Sequence, residues 1–318
     1  MAHLDFERAI AEVEQQIDRL QDLARERGLD VSAELRSLER KLHSLKRDVY
    51  ENLTPIERVM VARHPNRPYT LDYLKLIFTD FIELHGDRLY RDDGSIVGGW
   101  ARLDGRTVMV IGHQKGRDMK ENLSRNFGMA HPEGYRKALR LMKMAEKFGR
   151  PVVTMIDTMG AYPGLGAEER GQAEAIARNL REMAALRIPT IAVVIGEGGS
   201  GGALALGVTD RLIMLENAVY SVISPEGCAA ILWKSGAERD KAAAALKLTA
   251  ADLRRLGVAD LVIPEPAGGA HSDWERTASA LKDALTGQLD ELSAFSGDDL
   301  VQRRLDRYLQ LGEWREVH

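Results

Sequence analysis

Apolar residues recur three and four apart through the first fifty positions. Ile10, Val13, Ile17, Leu20 and Ala24 form one stripe, and Leu35, Leu38, Leu42, Leu45 and Val49 form a second. Each stripe marks one face of a helix, and Gly28-Leu29-Asp30 interrupts the period between them. The pattern predicts an antiparallel helical hairpin over residues 1–60 whose apolar face covers the remaining domain or a partner. Two prolines make 62–69 a loop, and Thr70 is expected to cap a helix reaching Leu84. From about Ile96 the texture changes to short β-rich runs separated by helical stretches. Strands are expected at 107–112, 152–157, 190–195, 211–215, 220–223 and 258–263, with helices over 134–148 and 167–186. Alternation of this kind implies an α/β domain of parallel strands with crossover helices. Beyond Pro264-Glu265-Pro266 the chain reads as helical.

At 318 residues and 44% hydrophobic content the chain can bury a sizeable core. A net charge of −4 gives no reason to expect a nucleic-acid or membrane partner. Cys228 is the only cysteine, which excludes internal disulfides and cysteine-based zinc sites and suits a reducing, cytoplasmic setting. The start soon carries acids, so no secretory leader is expected there. No apolar run approaches the length of a membrane span.

The candidate chemistry lies in two glycine-rich turns. Five glycines fall within residues 196–202, directly after the β-branched run 190–195. A second turn, Thr158-Met159-Gly160-Ala161-Tyr162-Pro163-Gly164, follows the run at 152–157. Such turns present bare backbone N–H groups that can hold an anionic oxygen.

Two common motifs overlap the first turn. Gly196 to Gly201 satisfies G-x-G-x-x-G, with Glu216 twenty residues on, but at least two strands precede it and Gly207-Val208-Thr209-Asp210 soon interrupts the following helix. Gly198 to Gly202 fits G-x-S-x-G, yet His113 and His131 lie upstream of Ser200 and His271 sits in a polar loop. A basic stretch, Lys115, Arg117 and Lys120, follows the strand at 107–112. It reads either as solvated surface or as a phosphate contact. Glu168-Glu169-Arg170 and Cys228 read as structural.

Several segments together carry a resemblance to a known family. They are Gly-His-Gln-Lys-Gly-Arg (112–117), Asn-Phe-Gly-Met (126–129), Pro-Glu-Gly-Tyr-Arg-Lys-Ala-Leu-Arg (132–140), Gly-Ala-Tyr-Pro-Gly (160–164), Ala-Glu-Glu-Arg-Gly-Gln (167–172), Gly-Glu-Gly-Gly-Ser-Gly-Gly-Ala-Leu (196–204) and Tyr-Ser-Val-Ile-Ser-Pro-Glu-Gly-Cys (220–228). With Arg-His-Pro-x-Arg-Pro-Tyr-Thr (63–70), they resemble the α subunits of bacterial acetyl-CoA carboxylase carboxyltransferases. One departure is Met159, where the family usually has proline; it is expected to loosen that loop.

The resemblance implies a crotonase-like spiral of ββα units over 61–318, ending in helices from about 266. It implies transfer of a carboxyl group from carboxybiotin, borne on a biotin carboxyl carrier protein, to acetyl-CoA, giving malonyl-CoA for fatty-acid synthesis. It further implies a β subunit that holds zinc and the enolate site, an α2β2 assembly, a biotin carboxylase in the wider complex, and no metal on this chain. The backbone N–H groups of Gly201 and Gly202 would hold the biotin ureido oxyanion. Gly160, Ala161, Gly198, Gly199, Lys115, Arg117 and Lys120 are candidate substrate contacts. The competing function is a self-sufficient crotonase-like hydratase or thioesterase, which would need its own enolate hole and a paired acid.

Overall fold

The molecule, described by a computed structural model over residues 4–312, opens with the two expected helices, α1 (Arg8–Arg27) and α2 (Ser32–Glu51). Gly28, at φ +63°, ends α1 in the left-handed conformation that glycine adopts without penalty. Ile10 joins Tyr50, Leu53 and Val61 in a small core at the hairpin base. Thr54 caps α3 (Pro55–Ala62), whose Val59 and Ala62 pack with Val219, Ala243 and Leu248.

The next helix, α4 (Thr70–Ile77), is shorter than its apolar pattern suggests. Residues expected to extend it instead form strand β1 (Thr79–Glu83), which pairs antiparallel with β2 (Ile96–Leu103). Phe78 already has extended dihedrals, and Thr79, Phe81 and Ile82 favour a strand once a neighbour is available. Thr70 does not cap α4; it lies just inside, and its hydroxyl donates to the His113 carbonyl at 2.6 Å. Strand β3 (Arg106–His113) is antiparallel to β2. An Asp104-Gly105 link with both φ values positive allows only a hairpin there. The first three strands are therefore antiparallel, not the parallel units that the alternation suggested.

After α5 (Met119–Ser124) and α6 (Pro132–Lys147), strand β4 (Val152–Thr158) pairs parallel to β3. The helix expected over 167–186 is broken at Gly171, φ +81°, into α7 (Leu165–Glu169) and α8 (Gln172–Ala184). Then come β5 (Thr190–Gly199), α9 (Ser200–Leu204), β6 (Arg211–Leu215) and β7 (Val219–Ser221). Helices α10 (Pro225–Trp233), α11 (Arg239–Leu246) and α12 (Ala250–Arg255) lead to β8 (Leu261–Ile263), then α13 (Trp274–Leu292) and α14 (Gly297–Leu309). The sheet order is β1-β2-β3-β4-β5-β6-β8, with β7 beside β5.

Strands β4 and β5 are buried along their whole length. Leu141 and Met142 of α6, Met183 of α8 and Leu281, Leu285 and Leu289 of α13 complete the core around them. Arg304 fastens α14 to this core. It pairs with Asp210 at 2.9 Å and donates to the carbonyls of Met183 and Leu186. No helix among the described residues is long and apolar enough to cross a membrane.

Candidate active site at the end of strand β5

The glycine run is mostly strand. Gly196, Gly198 and Gly199 lie inside β5, and the turn itself is Ser200, held at φ +52°. A residue other than glycine in that conformation carries strain, which tends to collect at functional sites. Gly201 and Gly202 follow in the first turn of α9, where N–H groups have no acceptor within the helix.

Most of these glycines are explained by packing. A Cβ on Gly198 would meet Tyr220 at 2.6 Å, and one on Gly199 the Met159 carbonyl oxygen at 2.1 Å. A Cβ on Gly202 would lie 2.5 Å from the Gly160 carbonyl carbon and 2.6 Å from the Ala161 nitrogen. Gly202 is thus crowded by its own chain, which is why Gly160 and Ala161 are brought to this place. Gly201 differs. A Cβ there would make only ordinary contacts with Ile176, at 3.6 and 3.7 Å, and its φ is not positive. The fold supplies no reason for Gly201 to be glycine.

The loop containing Met159 is tied by its neighbour. Thr158 Oγ1 donates to the Gly160 carbonyl at 2.7 Å and accepts from the Gly160 N–H at 3.1 Å. This side-chain turn restrains the backbone on both sides of Met159. Met159 itself is half exposed.

Behind the turn the charges are paired. Lys115 Nζ donates to Asp157 Oδ1 at 2.6 Å. Burial pushes the Lys115 pKa down, but the Asp157 carboxylate outweighs it and holds the ammonium above its ordinary value. Arg63 binds Glu197 through Nε and Nη2, at 3.0 and 2.7 Å, and also reaches Glu226. Arg67 and Glu265 form a fully buried pair at 2.7 Å. Burial alone would raise the Glu265 pKa, yet the Arg67 charge lowers it to about 2.

The basic stretch therefore divides. Lys115 points inward to Asp157, not to the surface. Arg117 pairs with Asp72, donates to the Pro65 and Arg67 carbonyls, and lies over the rings of Tyr69 and Trp274, 3.9 and 5.0 Å from their centroids. Lys120 is exposed on α5. The sequence reading missed Arg63, Arg67, Asp157 and Glu197. Arg63 and Arg67 stood in the sequence only as part of the segment 63–70 that carries the resemblance, with no role attached to either.

Neither competing motif is furnished. Glu216, the acid that a dinucleotide fingerprint would use on a ribose, accepts the Glu265 N–H at 2.9 Å. Among the described residues the Ser200 hydroxyl makes no hydrogen bond. His113 is fully buried with its pKa pushed down to about 4 by desolvation, and His271 stacks on His64 at 3.8 Å. Arg170 binds the buried Glu133, and Cys228 is buried in α10, so both are structural as expected. Among the described residues no three His, Cys, Asp or Glu side chains gather as a metal ion would need.

Comparison with known proteins adds an independent line. The family described as acetyl co-enzyme A carboxylase carboxyltransferase-like matches residues 3–312. A relative from Gemmatimonas aurantiaca, named acetyl-coenzyme A carboxylase carboxyl transferase subunit alpha, is 62% identical over 98% of both chains. One of the same name from Geobacter metallireducens is 58% identical, again over 98% of each. Among solved structures, the transcarboxylase 12S core aligns with a TM-score of 0.54 at 23% identity, covering 69% of this chain and 42% of that one. A Pseudomonas malonate decarboxylase hetero-tetramer in complex with coenzyme A aligns at 0.55 with 20% identity, over 69% and 88%. These structural likenesses support the expected crotonase-like fold. The chain belongs to the acetyl-CoA carboxylase carboxyltransferase family, on the α-subunit side.

Proposed function

We propose that this chain is the α half of a carboxyltransferase that moves a carboxyl group from carboxybiotin to acetyl-CoA, giving malonyl-CoA. Its own task is the biotin side of the reaction. As the carboxyl group leaves, negative charge grows on the ureido oxygen, and the Gly201 and Gly202 N–H groups hold it. Preorganised donors of this kind are worth roughly 3 kcal/mol each. Biotin itself takes the methyl proton of acetyl-CoA, so no side-chain base is required here. Gly160 and Ala161, pressed against Gly202, border the same space, and Gly198 and Gly199 carry the strand into it.

One observation supports this reading above the others. Gly201 lacks a side chain although the fold has room for one. A ligand approaching the backbone closely is a physical reason for that omission. The hydratase or thioesterase alternative would need a second oxyanion hole and a paired acid, and the acids behind this turn, Asp157 and Glu197, are committed to Lys115 and Arg63.

The proposal extends to partners: a β subunit supplying the enolate site and zinc, in an α2β2 complex, a biotin carboxyl carrier protein, and biotin carboxylase in the wider assembly, all in the cytoplasm. Exposed apolar side chains on segments flanking the turn, Met159, Leu165, Leu204 and Val222, suit a surface covered by another chain. The chain alone is expected to form no malonyl-CoA from carboxybiotin and acetyl-CoA, and to do so once β is added. Full activity without β would overturn the proposal.

Of Lys115, Arg117 and Lys120, we assign contact with CoA phosphates or an acidic carrier to Lys120, which is exposed and makes no ion pair among the described residues. Lys120→Ala is expected to raise the apparent KM and weaken its dependence on ionic strength, with kcat unchanged. An unchanged KM for both substrates would return Lys120 to the solvated surface.

A further inference from the structure

Just before the turn, strand β5 contains a bulge. β4 and β5 pair in register from Val152↔Thr190 to Ile156↔Val194 and meet again at Thr158↔Gly198. Asp157 alone therefore faces Ile195, Gly196 and Glu197. At the same place β5 changes its other neighbour. It pairs with β6 as far as Val194↔Met214, then with β7 from Glu197↔Val219 to Gly199↔Ser221. A bulge bends its strand and re-aims the residues beyond it. Here those residues are Ser200 and the two glycines whose N–H groups face the reaction.

Residues in a buried bulge lose ladder partners, and their polar groups need replacements. Side chains supply them. Asp157 Oδ1 accepts the Glu197 N–H at 3.0 Å, and the Ile195 carbonyl accepts from Arg67 Nη2 at 3.0 Å. Arg63 holds the Glu197 carboxylate. The fit at Asp157 is close, since a Cβ on Gly196 would lie 2.5 Å from its Oδ1. Lys115 neutralises that carboxylate, and its side-chain carbons pack beneath Gly128, where a Cβ would meet Lys115 Cγ at 2.9 Å. Gly128 closes a run of three left-handed residues, Asn126, Phe127 and Gly128, at φ +49°, +55° and +78°. This segment lies against the Lys115 side chain.

From this arrangement we infer that Lys115 and Asp157 act as a positioning pair: by fixing the bulge, they set the direction of the Gly201 and Gly202 N–H groups without touching substrate. The inference rests on the assignment of those N–H groups to the oxyanion. Donors stabilise a developing charge only when held about 2.7–3.1 Å from it, so a small tilt of the bulge costs turnover. Binding of acetyl-CoA, which does not depend on that direction, is left alone.

The test uses the α–β complex, with steady-state kinetics, melting temperature and size-exclusion chromatography on every variant. Lys115→Met is expected to lower kcat at least about tenfold, with KM for acetyl-CoA within about twofold. Lys115→Met combined with Asp157→Asn leaves no unpaired charge, and the Asn Oδ1 still accepts the Glu197 N–H. This double variant is expected to recover most of kcat, a coupling that a direct contact of Lys115 with substrate would not produce. Should Lys115→Met fail to assemble while the double variant assembles and turns over normally, the pair serves the fold alone and the positioning role is overturned.

Gly201→Val, measured in parallel, separates the two readings. If it is inactive while Lys115→Met is normal, the positioning role falls and the oxyanion assignment stands. If Gly201→Val is normal, the oxyanion assignment fails and the inference fails with it. A raised KM in Lys115→Met, with no recovery in the double variant, would mean that Lys115 binds substrate.

Discussion

Gly201→Val is expected to lower kcat by at least about two orders of magnitude, the scale of losing one oxyanion donor. The α–β complex should persist. The branched side chain leaves the N–H in place but covers it, while the Cβ meets Ile176 only at ordinary contact distance. Gly201→Ala, with a single methyl, should fall between Val and the parent. Gly202 is a poorer test, although the sequence offers both glycines equally. A methyl there would strike the Gly160–Ala161 backbone, so lost turnover should come with a lower melting temperature. Malonyl-CoA formation and size-exclusion chromatography on the three variants read the difference. Near-normal turnover of Gly201→Val in an intact complex would refute the assignment.

Glu265→Gln should be the most destabilising conservative change among the charged pairs behind the turn. Arg67 and Glu265 are both buried, and the carboxylate also accepts from the Asn217 and Ala270 N–H groups. Neutralising it strands a guanidinium in the interior, at a cost of about 3–5 kcal/mol. Urea unfolding measures that loss. The pair also carries an acid dependence. The Glu265 pKa falls from 4.5 to about 2 on folding, so its contribution is complete above about 4.5 and is lost as pH drops from there towards 2. Stability measured across that window should fall more steeply for the parent than for Glu265→Gln. Parallel curves would show that Glu265 does not keep its charge through the pair.

The sequence foreshadowed the elements whose periodicity is decided locally. The N-terminal hairpin, α6 and β4 follow from apolar spacing and from a stop such as Gly28. It misjudged elements whose state depends on a neighbour. Residues 79–83 have the spacing of a helix end, and only pairing with β2 makes them a strand. The antiparallel start was legible in Asp104-Gly105, a hairpin signal passed over in favour of the alternation of strands and helices.

At the site, the glycine run advertised itself, but not which glycine serves a ligand. That distinction needs the neighbours of each Cβ, and for Gly199 and Gly202 those come from residues about forty positions away. Lys115 and Arg117 looked alike as members of a basic stretch. One is turned to Asp157 and the other is caged by Tyr69 and Trp274, outcomes set entirely by tertiary packing.

The separation between Arg67 and Glu265 also bears on synthesis. The pair joins residues 198 positions apart, and Arg67 also holds the Ile195 carbonyl in the bulge, 128 positions away. At roughly 5–20 residues per second, a nascent chain carries Arg67 for on the order of ten to forty seconds before its counter-charge is made. Until then neither the bulge nor the turn beyond it can take its final shape. The N-terminal helices and the β2–β3 hairpin, built from near neighbours, can form while that wait lasts. The site should thus be among the last parts to mature on the ribosome, and slowing elongation between codons 200 and 265 should prolong the exposure of its unfinished charges to chaperones.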